Sequence, residues 1–208
     1  IKSPMLAKRI DSLKPELQQE IWDSDEYGLE EKLNGARMSI VKTNEGLFMY
    51  SRHNSVTDLL PIEYSGKILY PETFDLDQIK ENFILDCEIT SDYDNVSTSI
   101  GKYGVTTETM LQAVTAILNC DDKKARLIQK QENLYFTFNV FDCTFYEGQW
   151  ITQEPLNKRK ALANELWNKL VKAGFKAKFV KWTNQNKKAF YKDIIMSGGE
   201  GAVAKHCN

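Results

Sequence analysis

The sequence predicts an α+β fold in which antiparallel-rich sheets are flanked by helices. Three observations carry that reading. Hairpin signals crowd the first third of the chain, strand and helix candidates are interleaved after it, and 208 residues at 42% hydrophobic content suffice to bury one sizeable core. Interleaving alone would also suit a doubly wound parallel sheet, but the early hairpins favour antiparallel pairing.

The chain runs extended from Gly28 into Lys32, then through a half-buried stretch Met38 to Lys42, the turn TNEG, and LFMYS ending at Ser51. Asn44 to Gly46 supply the hairpin turn. Further strands are predicted at Phe83 to Thr90, Leu134 to Phe141, Phe175 to Trp182 and Gly201 to Lys205, all rich in β-branched or aromatic residues. A helix is predicted over Thr107 to Leu118 and extended by the charged stretch to Lys130. Another, Pro155 to Ala173, sets Leu156, Ala163, Leu166 and Leu170 near one stripe and closes on Gly174. A last helix, Gln185 to Met196, ends at Gly198 and Gly199. The ENLYF at Glu132 to Phe136 looks like part of a protease tag site, but the run continues as a strand and is read as native.

The net charge of −2 hides an asymmetry: from Asn157 to Met196 eleven basic residues face two acidic ones, so this segment is +9 and the remainder −11. Such a segment is either a face for a polyanion or a solvated lysine-rich helix surface. The four cysteines stand singly, which argues against a zinc site or a disulfide scaffold. There is no apolar run of about 18 residues and no basic-then-apolar leader, so the chain is read as cytoplasmic, without membrane span or signal peptide. It begins with Ile1 rather than Met, as an excised domain would.

The stretch EEKLNGAR, Glu30 to Arg37, raises the question of a reactive amine. Lysine attacks phosphorus only when deprotonated, which requires a pKa lowered by burial or nearby cations. Lys32 ends an extended run, Gly35 would let the backbone approach a ligand, and Arg37 offers a fork to a ribose or phosphate oxygen. Glu30, two residues earlier, shares the face of Lys32. The plain alternative is an ordinary hairpin lysine. In FILDCEIT, Asp86 and Glu88 stand two apart in an apolar strand, where a divalent cation is the natural partner unless the pair lies at an exposed end. In GGEGAVAKH, Glu200 could share a metal and Lys205 could meet a phosphate; the alternative is a glycine loop flanked by solvated charges.

Taken in order, EKLNGAR, SRHN, FILDCEI, FNVFDCTFYEG, EPLNKRKAL and EGAVAK resemble the motifs of ATP-dependent DNA ligases of the covalent nucleotidyltransferase superfamily, and SPMLAK resembles the entry to their nucleotidyltransferase domain. The resemblance runs from Pro4 to Lys205 and implies an ATP-grasp-like adenylation domain over 1–208. It implies that Lys32 attacks the α-phosphorus of ATP to form lysyl-AMP, that AMP passes to the 5′-phosphate of nicked double-stranded DNA, and that the 3′-hydroxyl seals the nick. Glu30 and the backbone of Glu31 match adenine contacts, Arg37 and Arg52 match ribose and phosphate contacts, and Phe141 matches the ring stacked on adenine. Glu88 matches the carboxylate of the ribose and metal region, Glu200 a metal-associated carboxylate, and Lys205 a lysine near the phosphates. ATP and Mg²⁺ are the implied cofactors, a monomer the implied state, and DNA repair, replication and recombination the implied settings.

Two motif positions depart from the family. Asn34 stands where aspartate is usual, and Cys87 where glycine is frequent. The family's further lysine-rich strand and its C-terminal OB-fold domain are absent from these residues, so slow self-adenylylation is expected. An RNA ligase of the same superfamily, or a non-catalytic nucleic-acid-binding domain using the basic segment, are the alternative readings.

Overall fold

A computed structural model of the chain describes residues 8–57, 59–91 and 110–207. Most of the SPMLAK entry and the first residues of the helix predicted from Thr107 lie outside them. Among the described residues the strands are, in order, β1 Tyr27–Lys32, β2 Ala36–Thr43, β3 Gly46–Asn54, β4 Pro61–Glu63, β5 Phe83–Thr90, β6 Thr137–Tyr146, β7 Gln149–Trp150, β8 Ala177–Phe179, β9 Trp182–Thr183 and β10 Gly201–His206. The α-helices are α1 Pro15–Asp23, α2 Met110–Asn119, α3 Asp122–Gln131, α4 Leu156–Lys172 and α5 Lys187–Met196. Two compact units emerge, one from the stretches 1–33, 154–158 and 180–208, the other from 34–153 and 159–179.

In the first unit β1 is the middle of three antiparallel strands, flanked by β10 and β9. The ladder sets Lys32 opposite Gly201, Gly28 opposite Lys205 and Glu30 opposite Trp182. Helix α1 begins with Pro15, whose fixed φ suits a first turn and whose missing N–H costs nothing there. The buried ammonium of Lys187, at the start of α5, donates to the carbonyls of Ile21, Ser24 and Tyr27 at 2.6, 2.5 and 3.1 Å. It thereby ties the end of α1 to the start of the strand that carries Lys32.

The second unit is built on a sheet of order β4-β3-β2-β5-β6-β7, all antiparallel, with β8 added parallel to β6. Period-2 alternation turns Phe83, Leu85, Cys87 and Ile89 of β5 to one face, where all four are fully buried. Ala113, Val114 and Ile117 of α2, Ala125 and Ile128 of α3, and Ala163, Leu166 and Leu170 of α4 join the same core. Burying each large apolar side chain contributes about 1.5–3 kcal/mol.

The predicted hairpin forms as β2 and β3 around Asn44 and Glu45, and β5 has the predicted bounds. The strand predicted from Leu134 starts instead at Thr137 and continues to Tyr146, where it turns into β7. Leu134 and Phe136 of ENLYF are core residues, as a native segment requires. The charged extension predicted for the helix ending at Leu118 is a separate helix, because Asp121 accepts from the Lys124 N–H at 2.9 Å and starts α3 afresh. The run Phe175 to Trp182 is two strands rather than one: β8 pairs with β6, whereas β9 pairs with β1. Helix α1 and strands β4 and β7 lie where the sequence predicts no element.

Candidate active site

Lys32 ends β1 with its side chain half exposed and its ammonium in direct contact with the Glu200 carboxylate. Glu200 is delivered by the end of α5. The Gly199 N–H donates to the Ile194 carbonyl at 2.8 Å and the Gly198 N–H to Ile195 at 3.1 Å, with Gly198 at φ +81°. This is a Schellman closure with glycine at the left-handed position. At Gly199 a Cβ would lie 2.6 Å from Ile194 Cγ2, so the turn also requires the missing side chain. Glu30 is buried, and its carboxylate accepts from Lys205 Nζ at 2.7 Å. The Glu31 N–H donates to the Lys181 carbonyl at 3.0 Å, so that donor is already engaged. Trp182 lies over Gly28, where a Cβ would come within 3.0 Å of its ring.

In the second unit Arg37 and Glu88 are opposed on β2 and β5. The Arg37 guanidinium grips Asp86 with both ends of its fork, at 3.0 and 2.5 Å, and lies over the Phe141 ring at 5.3 Å from its centroid. Burial pulls the Arg37 pKa down, but the hydrogen bond to Asp86 and the carboxylates of Asp86, Glu88 and Asp142 together leave it raised. Arg37 is therefore a fixed cation. Asp86 and Glu88 do share a face as predicted, yet the buried Asp86 is neutralised by arginine rather than by a divalent cation. Gly35 serves a different approach from the one expected: its backbone packs against β5, and a Cβ there would sit 2.2 Å from the Ile89 carbonyl oxygen. Arg52 is exposed one residue beyond the Met38–Ser51 pair, beside His53.

Phe141 sits at a break in the β5–β6 ladder. Asp86 pairs with Asp142 and Cys87 with Val140, so Phe141 has no opposite residue. An extra residue of this kind bends a strand and re-aims its side chain. Asp142 is gripped by Arg159 of α4 at 3.0 and 3.1 Å, and the buried Lys160 donates to the Phe141 carbonyl at 2.9 Å.

The basic segment is not one solvated face. Besides Arg159, Lys160 and Lys187, Lys176 donates to the Tyr135 carbonyl, Lys169 pairs with Glu81 and Glu165, Lys158 with Glu154, and Lys188 with Asp23. Lys172, Lys178, Lys181 and Lys192 are exposed. Sequence reasoning missed Asp142, Arg159, Lys160 and Lys187. Arg159 and Lys160 had a signal: they lie on the apolar stripe of α4, three and four residues after Leu156. Lys187 had none.

Residues 4–208 match the family described as ATP dependent DNA ligase domain. The chain belongs to this family. Among curated proteins it is 27% identical over 164 residues to the SPbeta prophage-derived DNA ligase-like protein LigB of Bacillus subtilis (strain 168), covering 79% of the chain and 47% of that relative. The chain thus spans about half the length of the ligase-like protein it matches. Its fold resembles the ligase domain of M. tuberculosis LigD (TM-score 0.54, 16% identity, 88% of this chain and 49% of that one). It also resembles mycobacterial DNA ligase D complexed with ATP and MES (TM-score 0.53, 14% identity, 88% and 48%). Among the described residues no helix is long and apolar enough to cross a membrane.

A ligase of this family implies Mg²⁺, and the donor chemistry fits that ion in one form. No three His, Cys, Asp or Glu side chains cluster as a metal site among the described residues. Mg²⁺ commonly takes one or two carboxylates plus phosphate oxygens and water, a role open to the partly exposed Glu200 or Glu88.

Proposed function

We propose that this chain is the adenylation domain of an ATP-dependent DNA ligase. The observation that carries the reading is Lys32 at a strand end, touching a carboxylate on a glycine-built turn, within a chain matched to the ligase family over nearly its whole length. An ammonium held on a carboxylate is no nucleophile, so Lys32 must leave Glu200 and lose a proton before it attacks. A bond then forms from Lys32 Nζ to the α-phosphorus of ATP, and the bond to pyrophosphate breaks. The 5′-phosphate of a nicked DNA takes AMP from Lys32 and frees the amine. The 3′-hydroxyl next attacks that phosphate, AMP departs, and the strand is sealed.

The remaining roles follow from the family resemblance together with the contacts each side chain makes. Phe141 offers a ring to the adenine, with Arg37 fixed beside it. Glu30 holds Lys205, and Lys205 carries charge for the phosphates. Glu31 lines the base site through its backbone, Arg52 serves the ribose or phosphates, and Glu88 serves the ribose and metal. Mg²⁺ bound by Glu200 or Glu88 and the phosphates would offset charge at the α-phosphorus.

Incubation with α-labelled ATP and Mg²⁺ tests the reading: a covalent, acid-labile adduct should form and vanish in Lys32→Ala. A folded protein that binds DNA yet gives no adduct, even with an OB-fold domain joined to it, would instead be a binding module. The exposed Asn34 in place of aspartate keeps RNA joining as the second reading, separated by comparing nicked DNA with nicked RNA.

A further inference from the structure

Two consecutive cations on the buried side of α4 hold one of the two irregular points of the β5–β6 ladder, the one at Phe141. Arg159 and Asp142 form a two-pronged pair whose side chains are 9% and 5% exposed. Asp142 Oδ1 also accepts from the Cys143 N–H at 2.9 Å, so one carboxylate fixes both the helix and the backbone after the bulge. Lys160 is 2% exposed, lies over the Phe179 ring at 5.5 Å, and gives its ammonium to the Phe141 carbonyl. The strand is therefore gripped at Phe141 itself and at the next residue. Across the ladder Asp142 faces Asp86, and Arg37, paired to Asp86, lies over the Phe141 ring. Two buried lysine and arginine side chains carry a large desolvation cost, and a core helix stripe would pack more simply with apolar residues at both positions.

We propose that Arg159 and Lys160 are positioning residues that set the Phe141 ring for nucleotide binding, by locking the backbone bulge that aims it. This inference rests on the reading of Phe141 as the adenine-facing ring. Neither residue need touch the nucleotide. A bulge left without its two anchors shares its extra residue among neighbouring positions, and the ring loses its single orientation while the sheet remains paired.

The test is a double-mutant cycle on the 208-residue chain. Affinity is measured for an ATP analogue whose α,β-bridge cannot be cleaved, with thermal melting of each variant alongside. Lys160→Met is near in volume and keeps the contact with Phe179 while deleting the donor. It should weaken nucleotide affinity about tenfold, the scale of one lost aromatic contact. In a Phe141→Ala background the same change should have no further effect on affinity, and Lys160→Arg should restore part of the loss. Full affinity in Lys160→Met overturns the proposal, as does an equal loss whether or not Phe141 is present, because that is the signature of general destabilisation. Should Lys160→Met fail to fold, Lys160→Leu, which also deletes the donor, serves as the variant of the cycle, and unchanged affinity there overturns the proposal equally. If Phe141→Ala alone leaves affinity unchanged, the reading of Phe141 fails, which is a separate outcome from failure of the anchors.

Discussion

Replacing Gly35 by alanine isolates what the glycine of EEKLNGAR does. Its added Cβ would lie 2.2 Å from the Ile89 carbonyl oxygen and 2.9 Å from Glu88 Cγ, the first far inside the 3.0 Å that real Cβ atoms respect. The closer neighbour is backbone in a central strand, so it cannot swing aside as a flexible side chain would. Overpacking of this kind costs about 1–3 kcal/mol. Against it, alanine restricts the unfolded chain and returns about 0.4–1 kcal/mol. The balance is a loss of about 2 kcal/mol at the upper part of that range. For a domain of this size that lowers Tm by about 4–8 °C. Thermal and urea melts of Gly35→Ala against the parent measure it. A variant at least as stable as the parent, with only nucleotide affinity reduced, would refute the argument and return Gly35 to the role of making room for a ligand.

Tyr70 gives a pH dependence. Its hydroxyl is buried with no hydrogen-bond partner among the described residues, and burial raises its pKa from 10.0 to about 12. Below pH 10 the ring is neutral in both folded and unfolded chains; above it the unfolded chain ionises first, so stability should fall as pH rises from 10 towards about 12. That loss reaches about 2–3 kcal/mol, and Tyr70→Phe should flatten it in urea melts while matching or exceeding the parent's stability at neutral pH. Equal alkaline slopes in the two proteins would count against the assignment. Lys187→Met should lose about 3 kcal/mol in urea melts, because three carbonyls of the α1–β1 connection lose their donor together; an unchanged midpoint would show that water replaces the ammonium freely. Neutralising the exposed Lys178 and Lys181 should reduce the salt dependence of DNA binding by about one unit of slope for each phosphate contact removed, and an unaltered slope would remove them from the DNA surface.

What the sequence determined by itself is what nearest neighbours along the chain decide. Period 2 fixed the bounds of β5 and the shared face of Glu30 and Lys32, turn residues fixed the β2–β3 hairpin, and Gly198 with Gly199 fixed the end of α5 and hence the delivery of Glu200. Partners distant in sequence were left to the tertiary structure. Asp86 was legible as a buried carboxylate in need of a positive charge, but only the β2–β5 ladder could show that Arg37, 49 residues away, supplies it. The lysines between Asn157 and Met196 were countable but not assignable, since whether an ammonium meets solvent or a carbonyl depends on which helix face the fold buries. Phe175 to Trp182 read as one strand because both halves carry strand residues, and nothing local reveals that they pair with different sheets. Composition and spacing determine which groups need a partner; the fold decides the partner, because burial and long-range register set the distance and the desolvation on which each interaction depends.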